Sequence, residues 1–109
     1  MVKFFLNLLG FAPLFATLAV AGDISVGYFY DDDCTNFASS PPVVPNNEEY
    51  NWEIAGTNSA GITNCTTTCS CWFYNFPNET IIDTPHRLAQ YPGTNCVSGV
   101  FESFLCIAS

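Results

Sequence analysis

The sequence predicts a small, mostly β, antiparallel domain stapled by disulfides, with at most one short helix. Three observations carry that expectation. Six cysteines fall in a chain of 109 residues, of which 49% are hydrophobic and 16% aromatic. The apolar segments are short, rich in β-branched and aromatic residues, and separated by Pro, Gly and Asn. One stretch, Asn64 to Phe76, holds Cys65, Cys69 and Cys71 together with four aromatic rings. A segment that is both cross-linked and strongly apolar reads as a central strand pinned by covalent bonds.

The first 21 residues read as an address rather than as part of the domain. Lys3 supplies a positive start, an apolar run extends from Phe4 to Leu18, and Ala19-Val20-Ala21 gives the small-x-small pattern of a signal-peptide cleavage site before Gly22. The alternative, a membrane anchor, fits poorly because Asn7 and Pro13 interrupt the run and a cleavage site ends it. No second apolar run approaches the roughly 20 residues that span a bilayer. The tail Phe104-Leu105-Cys106-Ile107 is too short for a lipid-anchor signal. The expectation is a secreted, extracellular protein with no membrane anchor after cleavage.

Cleavage leaves 88 residues, 22–109, as a single domain. Such a chain buries only about 60–65% of its unfolded surface, so its core is marginal alone. Three disulfides at roughly 2–4 kcal/mol each make up the deficit. A structural zinc site would need two close pairs of ligands. Here Cys65-x3-Cys69-x-Cys71 is followed by scattered cysteines, and the sole histidine, His86, is remote. Six cysteines allow 15 pairings. Cys69 and Cys71 would share one face of a strand about 7 Å apart, too far to bridge. A bond from Cys65 to either closes a tiny loop of little benefit. The preferred scheme therefore joins each of Cys65, Cys69 and Cys71 to one of Cys34, Cys96 and Cys106, which leaves six pairings.

Charge excludes several partners. After cleavage Arg87 stands alone against ten Asp and Glu, a net charge of −9. Nucleic-acid backbones and anionic lipid surfaces are bound through clusters of Lys and Arg, which this chain lacks. Its ring content is too high for disorder. No residue pattern calls for a cofactor.

Each element follows from local pattern. Asp23 to Tyr30 alternates Ile24, Val26, Tyr28 and Tyr30 with smaller or opposite-facing residues, a half-buried strand. Asp31, Asp32 and Asp33 end it. They are the only metal candidate, for calcium, but hard cations want spaced oxygen ligands and no EF-hand pattern accompanies them, so a solvated strand end is the preferred reading. Residues 39–49, with Pro41, Pro42, Pro45, Asn46 and Asn47, form an exposed extended loop. A short strand over Tyr50 to Ile54 and a turn over Gly56 to Gly61 come next. After the central strand, Phe76 to Glu79 turns and Thr80-Ile81-Ile82 is apolar. Asp83-Thr84-Pro85 would cap one helical turn over His86 to Gln90. Pro92-Gly93 turns again, and a last strand runs from about Val97 to Ile107.

A faint internal repeat is present. Tyr28-Phe29-Tyr30-Asp31 matches Trp72-Phe73-Tyr74-Asn75, and Gly56-Thr57-Asn58-Ser59 matches Gly93-Thr94-Asn95-Cys96. Two halves of about 40 residues, each opening on an aromatic strand, resemble the two-motif plan of βγ-crystallin-like sandwiches and of killer-toxin-like secreted proteins. That resemblance implies a two-motif sandwich, without the family's calcium pattern.

Two sequons follow the cleavage site, Asn64-Cys65-Thr66 and Asn78-Glu79-Thr80. Asn78 lies in an expected turn and is the better glycosylation site. Asn64 sits beside a cysteine, where low occupancy is expected. For catalysis, the cysteines are assigned to disulfides and His86 is the only base of its kind. His86, Arg87 and Tyr91 with some carboxylate could serve acid–base cleavage, as in small secreted fungal ribonucleases. The second histidine of those enzymes is missing, and no carboxylate pair stands out for glycoside hydrolysis.

Signal peptide, acidity, six cysteines and aromatic strands together resemble fungal small secreted cysteine-rich proteins, the class from which effector candidates are drawn. The resemblance implies a non-catalytic extracellular interaction module whose partner is a protein or a carbohydrate. Trp52 and Tyr91, with polar neighbours, are the expected exposed binding rings. The rival readings are a ribonuclease-like enzyme centred on His86 and a structural extracellular protein without a single ligand.

Overall fold

The computed structural model describes residues 23–77 and 86–109, and these form two four-stranded antiparallel sheets without a helix. The strands are β1 (Ile24–Phe29), β2 (Phe37–Ser39), β3 (Glu49–Asn51), β4 (Ser59–Cys65), β5 (Cys69–Tyr74), β6 (His86–Tyr91), β7 (Cys96–Ser98) and β8 (Ser103–Ala108). The first sheet runs β2-β1-β4-β7 and the second runs β3-β8-β5-β6. Read from its other end, the second sheet is β6-β5-β8-β3. Each half of the chain therefore contributes three strands to one sheet and passes its third strand to the other.

The two halves match in detail. β1 and β4 pair with Phe29 opposite Ser59, and β5 and β8 pair with Tyr74 opposite Ser103. The exchanged strands bind at the same place, β7 against Ser59 to Gly61 and β3 against Ser103 to Leu105. Asn58 N–H donates to Phe29 C=O at 2.8 Å, and Glu102 N–H donates to Tyr74 C=O at 2.9 Å. The ladder thus equates Tyr28 with Phe73, one residue away from the match with Trp72 expected from sequence. The second expected match does not hold, because Gly56 leads into β4 whereas Gly93 leads into β7.

The core lies between the sheets. Tyr28 and Phe73, the equivalent residues of the two halves, meet edge to face at 6.3 Å, and Phe101 and Phe104 pack on Phe73 at 5.4 and 5.9 Å. Val26, Ala60 and Ile62 complete it from the first sheet. In β5 the inward residues are Cys69, Cys71 and Phe73, as a period of two requires. β1 departs from strict alternation: Val26 to Phe29 are all buried after a bulge at Ser25/Val26.

The expected central strand is real but shorter than Asn64 to Phe76. That stretch contains the corner where the chain leaves the first sheet at Cys65 and enters the second at Cys69. The corner explains the disulfides, which differ from the preferred scheme: Cys34–Cys96, Cys65–Cys69 and Cys71–Cys106. A three-residue reversal brings the Cα atoms of Cys65 and Cys69 to 6.3 Å, within bridging range. Cys71 faces Cys106 directly across the β5–β8 ladder. Loop-closure entropy assigns about 4 kcal/mol to the Cys34–Cys96 bridge and about 2 kcal/mol to the Cys65–Cys69 corner.

The helix expected over His86 to Gln90 is instead strand β6, paired residue for residue with β5 from Tyr91 opposite Cys69 to His86 opposite Tyr74. One turn of helix offers little on its own, and the ladder with β5 satisfies the same backbone. The expected last strand is two strands, β7 and β8, in different sheets. The turn expected over Gly56 to Gly61 ends early, since β4 begins at Ser59. The apolar stretch 80–82, the 83–85 cap and the first 22 residues lie outside the described residues. The segment 39–49, expected as an exposed loop, is mixed: Ser39 ends β2, Glu49 begins β3, Pro41 is buried, and Asn46 bridges to β8, its side chain accepting from Ala108 N–H at 2.9 Å.

Two buried serines hold equivalent positions. Ser59 Oγ donates to Asp31 C=O at 2.6 Å and Ser103 Oγ donates to Phe76 C=O at 2.7 Å, each tying the chain that leaves β1 or β5 back to the sheet. Ser59 Oγ also accepts from Cys34 N–H at 3.2 Å. Ser103→Ala is expected to cost about 1–3 kcal/mol in chemical denaturation, and Ser59→Ala more, because it strands two backbone groups. Two neutral substitutions would refute the equivalence.

Candidate interaction surface

The outward side of the second sheet is the most distinctive surface of the described residues. Alternation in β5 that turns Cys69, Cys71 and Phe73 inward turns Ser70, Trp72 and Tyr74 outward. Trp72 is flanked in register by Leu105 of β8 and Leu88 of β6. Ile107, one outward position along β8, is 39% exposed and Leu88 is 42% exposed. Tyr74 is flanked by His86, with ring centroids 5.5 Å apart. The result is a row of apolar side chains across three strands, with Glu49 of β3 at its far end opposite Leu105.

Sequence reasoning missed this surface because it read the aromatic run as a central strand without assigning its two faces. The signal was available: two cysteines at i and i+2 fix which face is inward, and Trp72 and Tyr74 then fall on the other.

The expected site residues are placed apart. Trp52 is half-buried, not exposed: its ring stacks on Tyr50 at 6.3 Å, both rings pack against the core, and its indole nitrogen is buried. Tyr91 is exposed as expected, at the end of β6. His86 and Arg87 are successive residues of a strand and so project to opposite faces. Tyr91 lies five residues from His86, about 16 Å along an extended strand. No acid–base constellation joins the three.

Asp31 is a structural carboxylate. It accepts from the backbone N–H groups of Asp33, Thr35 and Asn36 at 2.8 to 3.2 Å and from the Thr35 hydroxyl. Those bonds, led by the Thr35 hydroxyl and the Asn36 N–H, hold its carboxyl well below the usual carboxylate range. With both oxygens engaged it is a turn clasp for Cys34, which has a positive φ of 58°. No cluster among the described residues has three or more His, Cys, Asp or Glu placed to hold a metal ion. Asn64 is exposed on β4 beside buried Cys65, and Asn78 lies outside the described residues.

Folding also creates an acid pair that the sequence hid, Glu53 and Glu102, 49 positions apart. Burial, then the charge of Glu53, then a hydrogen bond with it raise the Glu102 carboxyl above its ordinary value. The buried Tyr28 hydroxyl is pushed up as well, by burial first and then by Glu102 and Glu53. Directly hydrogen-bonded carboxyls leave no room for the water or sugar that separates a glycosidase pair by about 5–9.5 Å. A further depression of about 330 Å³ lies beside the Cys34–Cys96 bridge, where Asp33 is the sole charged residue of the lining. Its wall depends on Gly61, where any Cβ would collide with the Asn95 carbonyl that accepts from Ile62 N–H at 2.9 Å.

The two perturbed carboxyls act on stability in opposite directions. Glu102 binds its proton more tightly when folded, so stability declines as pH rises through its folded value. Asp31 binds its proton less tightly when folded, so its contribution is present above the unfolded value near 4 and disappears as pH falls. Denaturation midpoints should rise as pH falls from neutrality through the Glu102 transition and drop below about pH 4, where Asp31 loses its contribution. Glu53→Gln should shrink the upper limb alone without abolishing it, since the burial of Glu102 remains, and an unchanged upper limb in that variant would contradict the pairing.

No protein-family model matches this chain, and neither a curated protein nor a solved structure matches it.

Proposed function

We propose that the protein is a secreted, non-catalytic interaction module, and that it binds a protein partner through the outward side of the second sheet. The observation that carries this reading is the Leu105–Trp72–Leu88 row, with Ile107 and Tyr74 beside it, on a strand scaffold fixed by the Cys71–Cys106 bridge. Aliphatic side chains dominate that row. Carbohydrate recognition relies on rings flanked by hydrogen-bonding groups, whereas large apolar and aromatic anchors in a polar surround are the pattern of protein contacts. Three disulfides in so small a domain support an extracellular setting, and the exchange of third strands supports a place among two-motif, βγ-crystallin-like secreted proteins.

The test is capture from an extracellular protein mixture in parallel with a glycan array. Trp72→Ala and Ile107→Lys are expected to weaken protein capture at least tenfold, the scale of losing a binding hot spot. Trp52→Phe should leave it intact. Binding to glycans with no protein captured would overturn the choice of partner, and capture insensitive to both outward substitutions would overturn the choice of surface.

A further inference from the structure

The depression beside the Cys34–Cys96 bridge belongs neither to the core nor to the outward side of the second sheet. Gly27 and Gly61 face each other in register across β1 and β4. Their chain neighbours Val26, Tyr28, Ala60 and Ile62 turn into the core, so both glycines lie on the outward side of the first sheet. With no side chain at either position, other groups close in. The Phe29 ring and the Thr63 methyl cover Gly27, where a Cβ would stand 3.2 and 2.9 Å from them. At Gly61 the Asn95 carbonyl and Cys34 Sγ take the space a Cβ would need. Phe29, Thr63, Asn95 and the bridge thus wall a depression of about 330 Å³, at the lower end of small-molecule sites.

These walls are fixed before any ligand arrives. Asn95 is clamped to Ile62 twice: its C=O accepts from Ile62 N–H at 2.9 Å, and its side-chain amide donates to Ile62 C=O at 3.3 Å. Phe37 meets the Phe29 ring edge to face at 5.8 Å. At the rim, Asp33 N–H is held by the Asp31 carboxylate at 3.2 Å, which places Asp33 without engaging its own carboxylate. That exposed carboxylate is the sole charged group of the lining, and among the described residues no cation neutralises it. Arg87, the one Lys or Arg among the described residues, is on β6 in the other sheet.

We propose that this depression binds a guanidinium group, with the Asp33 carboxylate accepting its N–H donors and the Phe29 ring and the bridge receiving its flat body. Other ligand classes fit less well. An anion would meet Asp33 on a chain of net charge −8, with no basic side chain in the lining to offset it. A hard metal ion gathers about six to eight oxygen ligands and would find one carboxylate. An ammonium is compact and strongly hydrated, so it gains little from a wall of ring and sulfur. A guanidinium is planar and weakly hydrated, and it suits a site that is apolar on one side and anionic on the other. This inference goes beyond the proposed binding role, concerns the other sheet and does not depend on that role.

The test is an amide NMR titration of the purified, oxidised protein with n-butylguanidinium, set against its neutral isostere n-butylurea. Saturable shifts at the amides of Asp33, Cys34, Gly61 and Cys96 are expected with millimolar butylguanidinium and not with butylurea. Asp33→Asn should weaken binding about fivefold, the weight of one good charge pair. Asp32→Asn removes the same charge from the neighbouring exposed residue, outside the lining, and should change binding by less than about twofold. N-acetylarginine methylamide separates the sources of the group. Binding equal to that of butylguanidinium assigns the site to an arginine of a polypeptide, and weaker binding assigns it to small free guanidines. Equal losses in the two Asp variants, an equal response to butylurea or to n-butylammonium, or no saturable shift at these amides would each overturn the proposal.

Discussion

The exchange of third strands across a shared core is the constraint on which the rest of this structure depends. β7 completes the sheet of the first half and β3 completes the sheet of the second. Tyr28 and Phe73, occupying the same place in each half, touch each other at the centre. Neither half has a full sheet or a closed core without the other. In a domain of this size, where burial alone is marginal, that mutual completion turns two weak units into one cooperative one. The Cys34–Cys96 bridge ties the lent strand β7 to the turn that follows β1, fastening the exchange where it would otherwise fray.

Composition and alternation made the fold class legible. Cys69 and Cys71 announced a shared face of one strand, and the aromatic openings of the halves announced a two-part plan. Three things were not legible, each for a physical reason. The corner at Thr66 to Thr68 has no Gly or Pro to mark it, because the reversal is held by a disulfide rather than by turn residues. His86 to Gln90 has no local preference strong enough to resist its partner, so the β5 ladder decides its conformation. The repeat was displaced by one residue because identical letters were matched, whereas the ladder matches positions relative to Ser59 and Ser103.

Functional residues were less legible than the fold. Trp52 has polar neighbours in sequence but stacks on Tyr50 against the core, since it lies just past the exchanged strand β3 with its N–H donating to Glu102 C=O of the other half. Trp72 sits among apolar neighbours in sequence yet faces outward, because β5 has only one buried side. Polarity of flanking residues reports on exposure poorly when strands are short and exchanged. The Glu53–Glu102 pair is invisible to any local pattern, being created by the meeting of the halves.

The Cys34–Cys96 bridge closes a loop spanning 62 positions, and Cys71–Cys106 overlaps it. Any single peptide-bond cleavage between Thr35 and Asn95 therefore leaves both fragments in one covalent molecule. Where reductants are scarce, a chain nicked once within that span stays covalently joined through its bridges. Its lifetime would then be set by reduction of the bridges rather than by the first encounter with a protease.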